Sequence, residues 1–124
     1  YLPSGRDPRI RAVVADAPDP LPLAPNGPRL PSQVPLLLIH GDRDAIAPFA
    51  GSQQVTRQLM TPGWFLVLHG ADHLSPIVGP SPWTATFDRV TGDFLDNVFA
   101  RLPNSGSNLV ADVNQSPASI TALS

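Results

Sequence analysis

Leu36-Leu37-Leu38-Ile39 is an unbroken apolar run that ends on His40-Gly41-Asp42-Arg43-Asp44. A run this short, with no polar residue for either face, fits a strand covered on both sides. The arrangement recurs at Trp64 to Leu68, which leads into His69-Gly70-Ala71-Asp72-His73-Leu74. Each stretch therefore delivers an acid or an imidazole just past a strand end. In parallel α/β sheets the carboxyl ends of the strands open onto a shared crevice, and chemistry gathers there.

The rest of the chain supports a sheet of that kind. Ile10 to Ala17 predicts an earlier strand. Seven prolines and one glycine between Pro18 and Pro35 rule out a regular helix or a central strand, so residues 18–35 read as a Pro-rich loop or lid. Over Ala50 to Met60, Val55 and Leu59 stand four apart among polar neighbours, the mark of a short helix with one buried stripe. Thr61-Pro62-Gly63 ends it. After Pro80, Ser81 can cap and Pro82 suits a first helical position. Trp83, Phe87, Val90, Phe94 or Leu95, and Val98 then repeat at helical spacing, and Arg101 and Pro103 close the helix. The polar stretch 104–117 admits a short helix around Leu109 to Val113, and Ile120 to Leu123 a small terminal strand or a frayed end. The order strand, loop, strand, helix, strand, helix predicts an α/β fold: part of a doubly wound, mostly parallel sheet in residues 1–103, with 104–124 as a partly ordered tail. The first strand is expected to lie at an open edge.

Composition narrows the partners. All eight cations are Arg and all ten acids are Asp, the net charge is −2, and no basic block suggests a nucleic-acid footprint. With no cysteine, thiol catalysis, disulfides and Cys-ligated zinc are excluded. No apolar run approaches the roughly eighteen residues that a membrane helix needs. The first residues show no targeting pattern and no initiating Met, which predicts a start inside a longer protein and leaves the compartment open.

Asp44 can orient an imidazole by accepting its N–H, which fixes the tautomer and stabilises the protonated ring. It can also be an ordinary turn residue bonded to its own backbone. Asp42 competes for the same role, or satisfies backbone N–H groups, or pairs with Arg43. In Gly-x-x-Asp-x-x-x-Pro, Asp44 holds the loop apex ahead of Pro48. His73 fits a general base, since imidazole titrates near neutrality; His69 and His40 fit packed or hydrogen-bonded structural roles. His40, Asp42, Asp44, His69, Asp72 and His73 together also offer metal-ligand chemistry, but without a His-x-His spacing or a Glu to serve as base. A nucleophile is harder to find. Gly79-Pro80-Ser81-Pro82-Trp83 imitates an elbow, yet the residue after the serine must donate a backbone N–H, and Pro82 has none. Ser52 and Ser75 lack the strand–turn–helix context.

Val34 to Asp44 resembles the seventh strand and acid loop of α/β-hydrolase fold esterases, in particular the group around dienelactone hydrolases, chlorophyllase-like enzymes and cutinase-like polyester hydrolases. Gly70-Ala71-Asp72-His73-Leu74-Ser75-Pro76 resembles their histidine loop, and Asp7 to Val14, ending in Ala17-Pro18, their sixth strand. The resemblance spans about residues 7–100 and implies the C-terminal part of a serine hydrolase. It makes Asp44 the acid and His73 the base of a Ser–Asp–His triad that cleaves a carboxylic ester through an acyl-enzyme. The substrate would be a small-molecule or polymeric ester, with no cofactor. The Gly-x-Ser-x-Gly elbow is missing from all 124 residues, so the nucleophile and an N-terminal half of the same fold would have to join this chain, and alone it is expected to be inactive. Ile46, Phe49 and Leu74 flank the acid and base, either as acyl- or alcohol-pocket contacts or as packing. Two alternatives stand beside this: a non-catalytic interaction module or degraded hydrolase half, and a metal-dependent hydrolase.

Overall fold

A computed structural model describes residues 9–18, 34–58, 62–100, 105–114 and 117–123. The Pro-rich stretch expected as a loop or lid lies mostly outside them, as does the end of the helix expected to reach Met60. Four strands form one mixed sheet in the order β1 (Val13–Asp16), β2 (Leu36–Gly41), β3 (Gly63–Leu68), β4 (Ala118–Leu123). The first three are parallel neighbours and β4 runs antiparallel to β3. β1 is shorter than the run Ile10 to Ala17 suggests, because pairing extends only from Val13 opposite Leu36 to Asp16 opposite Ile39.

β2 sits inside the sheet and is buried along its whole length, which accounts for the apolar run Leu36 to Ile39 that makes up most of it. Its residues alternate between two cores. Leu37 and Ile39 join Leu66, Leu68, Val90, Phe94, Leu109 and Val113 on one face, while Leu36 and Leu38 join Val55, Phe65 and Leu123 on the other. α1 (Phe49–Gln58) supplies the second face; α2 (Pro82–Leu95) and α3 (Ser105–Asn114) cover the first. Each large side chain buried in this way contributes about 1.5–3 kcal/mol.

α2 begins where local chemistry dictates. Ser81 is its N-cap, its side chain accepting from the Thr84 amide while Thr84 returns a bond to the Ser81 amide, and Pro82 occupies the first turn. A π-helical turn, Asp96–Ala100, extends it. Residues 104–124, expected as a partly ordered tail, carry α3 and β4. Their order follows from burial: Leu109, Val113 and Leu123 are all enclosed. The antiparallel direction of β4 follows from connectivity. A single helix after β3 would return the chain to the start of the sheet and give another parallel strand. Two helices, α2 and α3, return it to the carboxyl end instead, where the His69 amide donates to Pro117 O at 2.8 Å.

Candidate active site

The loops after β2 and β3 are zipped together by backbone bonds. Asp42 N donates to Leu68 O and Arg43 N to Ala71 O, each at 3.1 Å. This approach needs Gly41: a Cβ there would stand 2.4 Å from the Ala71 carbonyl oxygen. Gly70 turns the second loop with φ +83, a conformation that side-chain-bearing residues rarely adopt. Asp72 then fixes the backbone around His73, its Oδ1 accepting from the Leu74 and Ser75 amides and from the Ser75 hydroxyl.

Within that frame Asp44 meets His73. His73 Nδ1 lies 2.7 Å from Asp44 Oδ2. The other carboxylate oxygen accepts the Ile46 and Ala47 amides, both at 2.8 Å. Asp44 is thus at once the turn residue and the partner of the imidazole. Burial alone would push its carboxyl up, but the bonds from His73, Ala47 and Ile46 and the nearby His73 charge outweigh burial and hold it below the usual carboxylate range. An ionised carboxylate only accepts, so His73 Nδ1 carries the proton and Nε2 presents a lone pair. The Asp44 side chain is fully enclosed and the His73 ring 32% exposed. Among the described residues nothing hydrogen-bonds Nε2.

The other candidates fall elsewhere. Asp42, expected to compete with Asp44, to satisfy backbone N–H groups or to pair with Arg43, takes His69 Nδ1 at 3.0 Å and the Gly70 amide at 2.8 Å. The His69 bond is the main reason its carboxyl is lowered, with burial opposing it. His69 is half exposed, and its carbonyl accepts Trp83 Nε1. His40 is fully buried: Nε2 lies 2.8 Å from Ala47 O and Nδ1 2.6 Å from Ser52 Oγ. A carbonyl cannot donate, so Nε2 carries the proton and Nδ1 accepts from the Ser52 hydroxyl. His40 Nε2 is also 3.4 Å from Asp44 Oδ2. Ser52, His40 and Asp44 therefore imitate a triad, but Ser52 and His40 are wholly inaccessible. They brace the acid loop from beneath. Nothing in the sequence pointed to this pair, because Ser52 precedes no glycine elbow and lies twelve residues from His40.

Ile46 and Leu74 are 71% and 53% exposed on either side of the dyad, with Ile77 and Val78 exposed just beyond. Phe49 is turned inward, edge-on to His40 and stacked on Phe65. Asp16, read from the sequence only as part of a strand, ends β1 beside this site and exchanges charge interactions with His73, His40 and Asp44. Among the described residues no three His or Asp side chains converge as a metal-ligand set, and no helix is long and apolar enough to cross a membrane. No protein-family model and no curated protein matches the chain. Fold and site define an α/β-type mixed sheet carrying an Asp–His dyad, its carboxylate enclosed and its imidazole partly exposed, at the carboxyl ends of two parallel strands.

Proposed function

We propose that this chain provides the acid and the base of a Ser–Asp–His triad in an α/β-hydrolase-type serine hydrolase that cleaves carboxylic esters. The observation that carries the reading is the 2.7 Å contact between His73 Nδ1 and the enclosed Asp44 carboxylate. Asp44 holds the ring in one tautomer, so Nε2 takes the proton of an attacking serine hydroxyl. The serine oxygen bonds to the ester carbonyl carbon, the C–O bond to the alcohol breaks, and Nε2 returns the proton to the departing alkoxide. Water repeats the sequence on the acyl-enzyme. The serine comes from outside these 124 residues. Ile46 and Leu74 offer apolar contacts for the acyl or alcohol part of a small or polymeric ester, whereas Phe49 acts by packing under His40.

The test is turnover of p-nitrophenyl esters by the natural gene product that contains this sequence. Asp44→Asn and His73→Ala are each expected to lower kcat by about 10³–10⁴-fold. Unchanged turnover in both variants would refute the assignment. A second reading, a non-catalytic interaction module, draws on the exposed Ile77 and Val78. It requires a folded natural gene product with no ester turnover at all.

A further inference from the structure

Two side-chain bridges join the loops after β2 and β3: Asp44 with His73, and Asp42 with His69. The second lies outside the dyad. Asp42 spends both carboxylate oxygens on one short stretch, Oδ2 on His69 Nδ1 at 3.0 Å and Oδ1 on the Gly70 amide at 2.8 Å. The His69 bond, against opposing burial, holds the Asp42 carboxyl below the usual carboxylate range, so the acceptor is ionised and His69 Nδ1 carries the proton. His69 is gripped through its backbone as well. Its amide donates to Pro117 O at 2.8 Å, and its carbonyl accepts Trp83 Nε1 at 2.9 Å. Three segments remote in sequence thus converge on residue 69: the loop after β2, the first turn of α2 and the residue before β4. Gly70 then turns the chain with φ +83, and His73 stands four residues beyond His69. The His69 and Asp42 side chains are 51% and 30% exposed. Ion pairs so exposed contribute little to global stability, so what this one supplies is local register.

We propose that His69, held by Asp42, is a positioning residue of this site: it acts through His73 by keeping the loop that carries that ring in register with Asp44. The role rests on the reading of His73 as the base. In each cycle of that reaction His73 takes up a proton at Nε2 and gives it back, while its Nδ1 must stay on Asp44. One 2.7 Å contact at a partly exposed ring has to keep its geometry through that change. The outer pair takes no part in the transfer and joins the same two loops, so it holds them together whatever the state of His73. The backbone bonds from Asp42 N to Leu68 O and from Arg43 N to Ala71 O set the register. Asp42 and His69 lock it at the point where the second loop begins.

The test uses the natural gene product and two replacements that separate the donor from the ring. Asn carries an N–H donor on Cγ as His carries Nδ1, whereas Phe keeps a ring and lacks the donor. One readout is kcat and KM for a p-nitrophenyl ester. The other, independent of turnover, is the exchange of the His73 Nδ1 proton with water, followed by NMR. His69→Phe should lower kcat roughly ten- to a hundredfold with KM unchanged, because the ring shifts against its acid. It should also speed exchange of the His73 proton about tenfold or more, as the loop opens more often. His69→Asn should restore both to near the values of the unaltered protein. Asp42→Ala removes the bonds from the other loop and should behave as His69→Phe does, which keeps the test open if the Phe variant does not fold. Equal losses with Asn and Phe would assign the effect to the ring and overturn the proposal. Unchanged kcat and exchange in His69→Phe or Asp42→Ala, or a fall in kcat without faster exchange, would overturn it too. If the unaltered protein turns over no ester while the exchange pattern holds, the hydrolase reading fails and the positioning of His73 by His69 stands.

Discussion

Ser52→Ala separates bracing from catalysis. In the folded protein His40 Nε2 is committed to Ala47 O, so its Nδ1 must accept, and Ser52 is its donor. Removing the hydroxyl leaves a ring nitrogen unsatisfied inside a fully buried residue. The ring cannot escape by changing tautomer, since that would set a lone pair against the Ala47 carbonyl. The cost is that of an unpaired buried acceptor, about 1–3 kcal/mol. With a urea m-value of about 2 kcal/mol/M, the midpoint should fall by roughly 0.5–1.5 M at constant m. Trp64 and Trp83 provide the fluorescence signal. In the presence of ester, the folded variant should keep most of its turnover, because Asp44 retains its Ile46, Ala47 and His73 bonds. An unchanged midpoint would refute the bracing argument. A thousandfold loss of turnover in a folded Ser52→Ala protein would make Ser52 the nucleophile and overturn the burial argument against it.

Two further substitutions probe the frame. Gly41→Ala drives a Cβ onto the Ala71 carbonyl, so the zipped loops must part; stability should fall by about 1–3 kcal/mol or more and ester turnover should drop with it, while full turnover would show that the close approach is dispensable. Asp93 faces Asp112 and Asp96, and burial, a bond shared with Asp112 and these like charges raise its carboxyl to about 6. The folded state thus keeps a proton that the unfolded chain loses near pH 4, so stability should fall as pH rises from about 4 through 6. Asp93→Asn should therefore stabilise by about 1 kcal/mol above pH 7, allowing for solvent screening, and by nothing below pH 4. An equal effect at both pH values would refute that origin.

Much of this architecture is legible residue by residue. The Ser81-Pro82 start of α2 could be read because capping is local chemistry. β2 could be read because a strand flanked on both sides and covered on both faces opens on four successive apolar residues, Leu36 to Ile39, before its first polar side chain, His40. The segment beyond 104 was legible only as a short helix around Leu109 to Val113 and a small terminal strand or frayed end, because Leu109, Val113 and Leu123 are apolar islands among Ser and Asn. Their burial depends on α2 and β3, which are remote in sequence. In the site, Asp44 and His73 stood out by their place after apolar runs. The Ser52–His40 brace and the approach of Asp16 did not, since both depend on how β1 and α1 lie against β2. Asp42 was ambiguous for a physical reason: two carboxylates two residues apart in one loop face two imidazoles four apart in the next. Only the register between the loops, set by Asp42 N to Leu68 O and Arg43 N to Ala71 O, decides which meets which.

The most direct measurement is the intact mass of the natural gene product after exposure to a fluorophosphonate probe, beside its His73→Ala variant. The expected result is one stoichiometric adduct on a serine outside these 124 residues, lost or greatly slowed when His73 is replaced. A well-folded protein that takes up no adduct, or takes it up equally fast without His73, would contradict the assignment of Asp44 and His73 as the acid and base of a serine hydrolase.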